Sequence, residues 1–353
     1  MSIRERLLLR QVRHVRPDLR DACTAAAREA IRRDAGEILP PFLLHLPAPD
    51  AFSASWAIVS EPTHGPRVDR AMKEAVAAAV SATNTCPYCV DVHTTMLHGL
   101  GGRLAARAIA SGRRAIADPA LGGVVAWARA TRQPRAAILD RPPFPAEHGP
   151  ELIGVALAYH YLNRMVNIFA AGSPFPLRSP AAKPILRSIA SPVLRGLLAR
   201  KGGRGASLEL LPAARVPDDL TWARGDPIIA DAFARAGATL DALGERLVAK
   251  PVRQLVIARL REWQGEEPGL SRAWAERAID VLPPPHRASG RLALLAALAS
   301  HQVDGAVLEA ARARPGPAGD ETLVATAAWA SFGAARRVGS WLATGVYEQE
   351  TVA

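Results

Sequence analysis

The chain has 353 residues, 49% of them hydrophobic and 5% aromatic, and carries a net charge of +11. That length leaves room for two domains with substantial cores, and the alanine- and leucine-rich, aromatic-poor composition is that of a helical bundle. No apolar run reaches the roughly eighteen residues of a membrane span, and arginines interrupt the short apolar stretch near residue 8, so the expectation is a soluble, cytoplasmic protein without membrane insertion.

Residues 1–40 read as an N-terminal helical extension. Three cysteines, an odd number, argue against a disulfide framework and for a reducing compartment. Cys23 lies in an amphipathic stretch and reads as a small apolar packing residue. Over 67–81, Met72, Ala75, Val76, Ala79 and Val80 recur at helical spacing on a segment that also carries Glu74. Beyond Asn84 and Thr85 comes a C-x-x-C. Pro87 suits the first turn of a helix, which puts Cys86 at or near the N-cap. That helix is predicted to run to about His98 and stop at Gly99, with Gly101 and Gly102 beyond; these glycines lack the lysine and strand context of a phosphate loop.

On this helix Cys86, Cys89 and His93 fall at i, i+3 and i+7, on one face. The helix N-terminus favours a thiolate, so at least one thiol is expected to have a lowered pKa. If the two helices form an antiparallel hairpin, Glu74 reaches back toward His93 and a carboxylate, imidazole and thiol relay results. Other readings exist for each part. Two cysteines with His93 and Glu74 supply four ligands for a zinc half-site, and the cysteines also read as inert core residues. Taken singly, Glu74 is a solvated helix residue and His93 a core histidine; their joint spacing with the thiols favours redox chemistry.

Glu74, eleven residues, Cys86, two, Cys89, three, His93 is a spacing that resembles the alkylhydroperoxidase D branch of the carboxymuconolactone decarboxylase family. The lead-in over 73–89 and the later helix over 154–169 look like that family's core and closing helix. The resemblance covers about residues 40–170 and is faint elsewhere. It implies an all-α helical bundle of the alkylhydroperoxidase D-like type. It further implies a thiol pair that reduces a hydroperoxide or disulfide substrate and is reset by an external dithiol reductant, lipoyl- or thioredoxin-like, while Glu74 and His93 move protons. No metal and no cofactor is called for. Peroxidase members often carry a histidine just before the second cysteine, where this chain has Tyr88. By the same resemblance Tyr159, His160, Asn163 and Arg164 pack near the thiol helix, which makes Tyr88, His160, Asn163 and Arg164 supporting residues of the site; a buried polar network fixing helix register is the competing reading. His98 points to another face.

From 173 to 206 the chain carries seven basic residues, five prolines and no acid. This marks a basic, proline-rich linker over 173–222. Its apolar residues, Ile185, Leu186, Ile189, Val193, Leu194, Leu197 and Leu198, suit an arm that packs on a domain and leaves its arginines in water. The lack of aromatics for base stacking argues against nucleic acid. Beyond it, 319–342 echoes 149–169 and 232–263 echoes the helices leading to the thiol site, without cysteine. The organisation expected is therefore two tandem similar domains, with the thiol site in 41–172 and a degenerate copy in 223–345. The function expected is thiol-dependent peroxide or disulfide reduction. A lactone decarboxylase or isomerase using His93 and Glu74, and a non-catalytic assembly or binding protein, are the alternatives. Since single-domain relatives build rings of six, a fused pair implies a homotrimer or other homo-oligomer.

Overall fold

The computed structural model describes residues 3–175, 185–191, 203–312 and 317–347, and all regular structure among them is helical. The helices are α1 (Ile3–Leu9), α2 (Ala25–Ala35), α3 (Pro40–Leu43), α4 (Pro49–His64), α5 (Arg70–Thr83), α6 (Pro87–Gly99), α7 (Arg103–Ala110), α8 (Pro119–Ala130), α9 (Ala137–Asp140), α10 (Gly149–Phe169), α11 (Pro227–Leu247), α12 (Lys250–Glu262), α13 (Ala273–Ile279), α14 (Pro284–Leu298), α15 (Gly305–Ala311) and α16 (Pro317–Tyr347), with 3-10 turns and a short unnumbered helix over 185–191 between them. None of the described helices is long and apolar enough to cross a membrane.

In the first unit α5 is the hub. Asp69 caps its start by accepting a hydrogen bond from the Ala71 N–H at 2.7 Å. Its run of alanines and valines, small and fully buried, lets α6, α8 and α10 all approach closely. Helix α10 is buried on every side because it packs on α4 and α5 in its own unit and on α16 of the second. Gly154 is where α10 meets α4: a Cβ there would lie 2.8 Å from Pro62 Cβ.

The second unit repeats this order. Helix α16 packs on α11 and α14 as α10 packs on α4 and α5, and the two units join through α4 on α11 and α10 on α16, with one continuous apolar core. The expected counterpart of the helices before the thiol site is thus only half placed by the sequence. Residues 227–247 do match α4, but the α5 position is filled by α14, while α12 packs against α14 and α16.

Two further expectations change. Cys23 sits in a 3-10 turn, Ala22–Thr24, and is exposed, because Asp21 caps this turn and Thr24 rather than Cys23 faces inward. Most of the basic linker lies outside the described residues. In its described helix, 185–191, Ile185 and Ile189 are 64% and 68% exposed while Arg187 is buried, the inverse of the expected arrangement. The face bearing Arg187 and Ser191 lies on α6, where Ser191 meets Gly99 and the Asp91 carboxylate attracts the guanidinium.

Candidate thiol site

The site begins at the turn between α5 and α6. Asn84 ends α5, and Thr85 adopts a left-handed backbone with φ +52°, a costly conformation for a β-branched residue unless its surroundings fix it. They do. The Asn84 amide donates both its hydrogens, to His160 Nδ1 and to Asn163 Oδ1, each at 3.1 Å. Its carbonyl accepts from Asn167 Nδ2 at 3.1 Å, and the Cys86 N–H donates to Ser81 O at 2.9 Å. Because Nδ1 of His160 accepts, its Nε2 carries the proton and donates to Thr131 Oγ1 at 2.8 Å, which in turn donates to Ala128 O. Burial first, then the Arg164 and Arg132 guanidinium groups, push the His160 imidazole well below its ordinary range. His160 is therefore a fixed neutral hydrogen-bonding post rather than a base.

Cys86 emerges from this clamp as the N-cap of α6, with Pro87 in the first turn, as the residue types predict. Its Sγ lies 2.8 Å from that of Cys89, both thiols free and only 1% and 2% exposed. The expected lowering of a thiol pKa does not occur at Cys86. Burial, and then the neighbouring Cys89, push it well above the ordinary thiol range, outweighing an opposing hydrogen bond from Asn163.

One turn beyond Cys89, His93 Nδ1 meets Glu74 Oε2 at 2.7 Å, so the α5–α6 hairpin makes the contact that the spacing foresaw. The carboxylate also accepts from Arg70 Nε at 2.7 Å, an i, i+4 pair. Burial alone would raise the Glu74 carboxyl, but Arg70 and His93 together outweigh it and hold it at about 2. An ionised Glu74 fixes the proton on Nδ1 and leaves Nε2 as the basic nitrogen of His93. Tyr159 packs edge-on against the imidazole, with ring centroids 4.4 Å apart.

Of the supporting residues, His160 and Asn163 belong to the Asn84 clamp. The Tyr88 hydroxyl donates to Gln11 Oε1 at 2.8 Å, while burial and then the Cys89 and Cys86 thiols push its pKa upward. That bond ties α6 to an N-terminal arm that pairs with the end of α10: the Arg13 N–H donates to Phe169 O at 2.7 Å and the Ala171 N–H to Gln11 O at 2.8 Å. Arg164 faces the second unit, donating to Ala297 O at 2.9 Å and lying over Trp263; burial and then Arg132 lower it to about 9. Sequence reasoning passed over Arg70, Asn84 and Gln11. Of these only Arg70 left a signal, its i, i+4 spacing to Glu74.

A cavity of about 120 Å³ has His93 in its wall. Its wall is mostly apolar, with Leu39, Phe42, Val59, Met96 and Leu162 among its residues, and neither cysteine lines it. His93 and Tyr159 are the residues shared by the cavity and the surroundings of the thiols.

The description of the carboxymuconolactone decarboxylase family matches residues 49–130, which hold Glu74, Cys86, Cys89 and His93. An alkyl hydroperoxide reductase of Mycobacterium tuberculosis is 34% identical over 334 residues, covering 94% of this chain and 95% of its own length, so the likeness runs through both units. No solved structure matches the chain. With a helical fold, the signature spacing realised as a contacting thiol pair and Glu–His pair, and end-to-end likeness to that reductase, the chain belongs to the carboxymuconolactone decarboxylase family, on its alkylhydroperoxidase D-like branch.

Proposed function

We propose that the protein is a thiol-dependent peroxidase or disulfide oxidoreductase. The observation that carries the reading is the pair of free sulfurs at 2.8 Å with the Glu74–His93 couple one turn along the same helix. Cys89 is assigned the attack, since the Cys86 thiol is pushed upward and stays protonated as a resolving group. His93 Nε2 takes the Cys89 proton, the resulting thiolate takes the terminal oxygen of the hydroperoxide to become a sulfenic acid, and the O–O bond breaks. The alkoxide leaves as alcohol with a proton from His93, whose charge is balanced by Glu74. Cys86 then attacks the sulfenic acid, forming the disulfide and releasing water, and an external dithiol, lipoyl- or thioredoxin-like, returns both thiols. A cytoplasmic setting and a homotrimer fit this reading; Leu7, Leu104, Ile185 and Ile189 are large apolar residues left exposed on one chain. Peroxide consumption by wild type, Cys86→Ser and Cys89→Ser with excess dithiol is the test. Loss of turnover in both variants is expected, and full turnover in either overturns the mechanism.

One observation favours a second reading, a lactone decarboxylase or isomerase. The cavity is lined by His93 and Arg70 but by neither cysteine, as proton transfer alone would require. Under that reading the double serine variant converts a lactone substrate as fast as wild type.

A further inference from the structure

The second unit keeps a counterpart of the first unit's cavity. In the first unit, Trp56 and Ser60 of α4 and Tyr159 and Leu162 of α10 share the wall with His93 of α6. Helices α11 and α16 meet as α4 and α10 do, and beside them lies a cavity of about 540 Å³, within the range of roughly 300–1,000 Å³ that small ligands fill. Trp329 stands as far past Gly319 as Tyr159 does past Gly149, and each aromatic lines its own unit's cavity. The remaining wall differs, because α12 supplies Val256, Ile257, Leu260 and Arg261, and no histidine or cysteine is among the described residues that line this cavity. Its apolar part is largely aliphatic, with Ile257 left 42% exposed. Its charged part is uneven. Arg336 is engaged by Asp219 through two bonds at 2.8 Å and by Asp241 at 3.2 Å. Arg337 donates to the carbonyls of Trp263 and Arg261 and lies over the Trp341 ring, with no carboxylate partner among the described residues. The Arg261 side chain is exposed and makes no hydrogen bond or ion pair among those residues. Three guanidinium groups against two carboxylates leave one positive charge in excess, and the two carboxylates are both on Arg336.

We propose that the second unit's cavity binds a monocarboxylate with an aliphatic body, its head on the Arg261 and Arg337 guanidinium groups and its body on Ile257, Leu260 and Trp329. A carboxylate matches the planar guanidinium fork in a charge-assisted, two-point hydrogen bond, and a single negative charge neutralises the excess. An uncharged molecule with the same body leaves the excess in place. The copy of the fold that carries no thiol pair is in this way a binding module, and its ligand is independent of the peroxidase reading.

Isothermal titration calorimetry of the full chain with octanoate tests the site, with octanol as the uncharged body and Arg261→Gln and Ile257→Ser as variants. Both side chains are exposed, so neither change removes a packed core group. Octanoate should bind and octanol should bind about tenfold more weakly; Arg261→Gln should weaken octanoate about tenfold, the change one charge-assisted hydrogen bond produces, and Ile257→Ser severalfold. Arg259, also exposed on α12, pairs with Glu262 at 3.6 Å and does not line the cavity, so Arg259→Gln should bind octanoate as wild type does. No binding of octanoate overturns the site, the result expected where a second copy of the chain covers it. Equal affinity for octanoate and octanol overturns the carboxylate head. Arg261→Gln binding like wild type puts the ligand elsewhere, the cavity beside His93 included, and equal weakening in Arg259→Gln reduces the effect to overall positive charge; either overturns the assignment.

Discussion

Replacing Glu74 by glutamine keeps the side chain's shape and removes its charge, and the structure sets both the size and the pH window of the effect. Glu74 is 2% exposed and accepts from Arg70 Nε and His93 Nδ1, each at 2.7 Å. Its carboxyl is held at about 2 against an ordinary 4.5, a difference of 2.5 pH units (4.5 − 2), which corresponds to about 3 kcal/mol of folding stability. Because the folded value is the lower one, this contribution is complete above pH 4.5 and is lost as pH falls toward 2. Glu74→Gln should therefore be less stable than wild type by about 3 kcal/mol at pH 7, and the gap should close steadily between pH 4.5 and the acid limit. Urea unfolding followed by far-UV circular dichroism, for both proteins at pH 7, 5, 4 and 3, reads the difference directly. A gap as wide at pH 3 as at pH 7 would refute the reasoning, since it would mean that the glutamine disturbs packing rather than charge.

Three further outcomes are expected. Equimolar tert-butyl hydroperoxide should link Cys86 to Cys89 within one chain, seen by mass spectrometry of unreduced peptides; a disulfide containing the exposed Cys23 would count against the mechanism. Tyr88→Phe removes the 2.8 Å bond to Gln11 and should raise the alkylation rate of the buried thiols severalfold by loosening the arm, whereas an unchanged rate would show that the arm does not limit access. Light scattering should give three times the chain mass, and a clean monomer at micromolar concentration would remove the argument that the second unit replaces an alternate ring subunit.

The parts of the site that were legible in the sequence are those set by local periodicity. The spacing of Glu74, Cys86, Cys89 and His93 needs only two helices and a tight turn, and Pro87 and the C-terminal glycines announce where the second helix starts and stops. What was not legible depends on chain segments far apart. Trp56 and Ser60 lie on α4, whose buried residues run round the whole helix, so no apolar face marks which side meets a cavity. Arg164 looked like part of the thiol site because it follows Asn163 directly, yet one residue of helix turns it by about 100° toward the second unit. The direction of the Cys86 pKa was missed for a related reason. The helix N-terminus was visible, but the burial of the thiol, with Asn163 of α10 beside it, was not. Arg187 likewise reversed the expected pattern: it is buried near Asp91 of α6 while Ile185 and Ile189 are exposed, an arrangement that depends on a helix ninety-odd residues earlier.

The second unit shows what the thiol site costs in ordinary stability. Helix α15 follows α14 and packs back on it as α6 follows and packs on α5. At the start of α15 stands Asp304, whose carboxylate accepts from the Val307 N–H at 3.0 Å and pairs with Arg272 at 2.7 Å. At the start of α6 stands Cys86, which makes no side-chain capping bond. A capping aspartate is typically worth about 1 kcal/mol to a helix, so the first unit forgoes that stabilisation and in addition holds Thr85 in a left-handed turn to place a thiol there. The Asn84 clamp, with its two donated hydrogens and the neutral His160 behind it, offsets the cost. The unit without thiols has an aspartate cap at this place, and its long helices α11 and α16 pack against α4 and α10. Packing between the units thus constrains both halves of the chain, whereas chemistry constrains the cap of a single helix. That difference is consistent with two similarly packed units of which only the first carries the thiol pair.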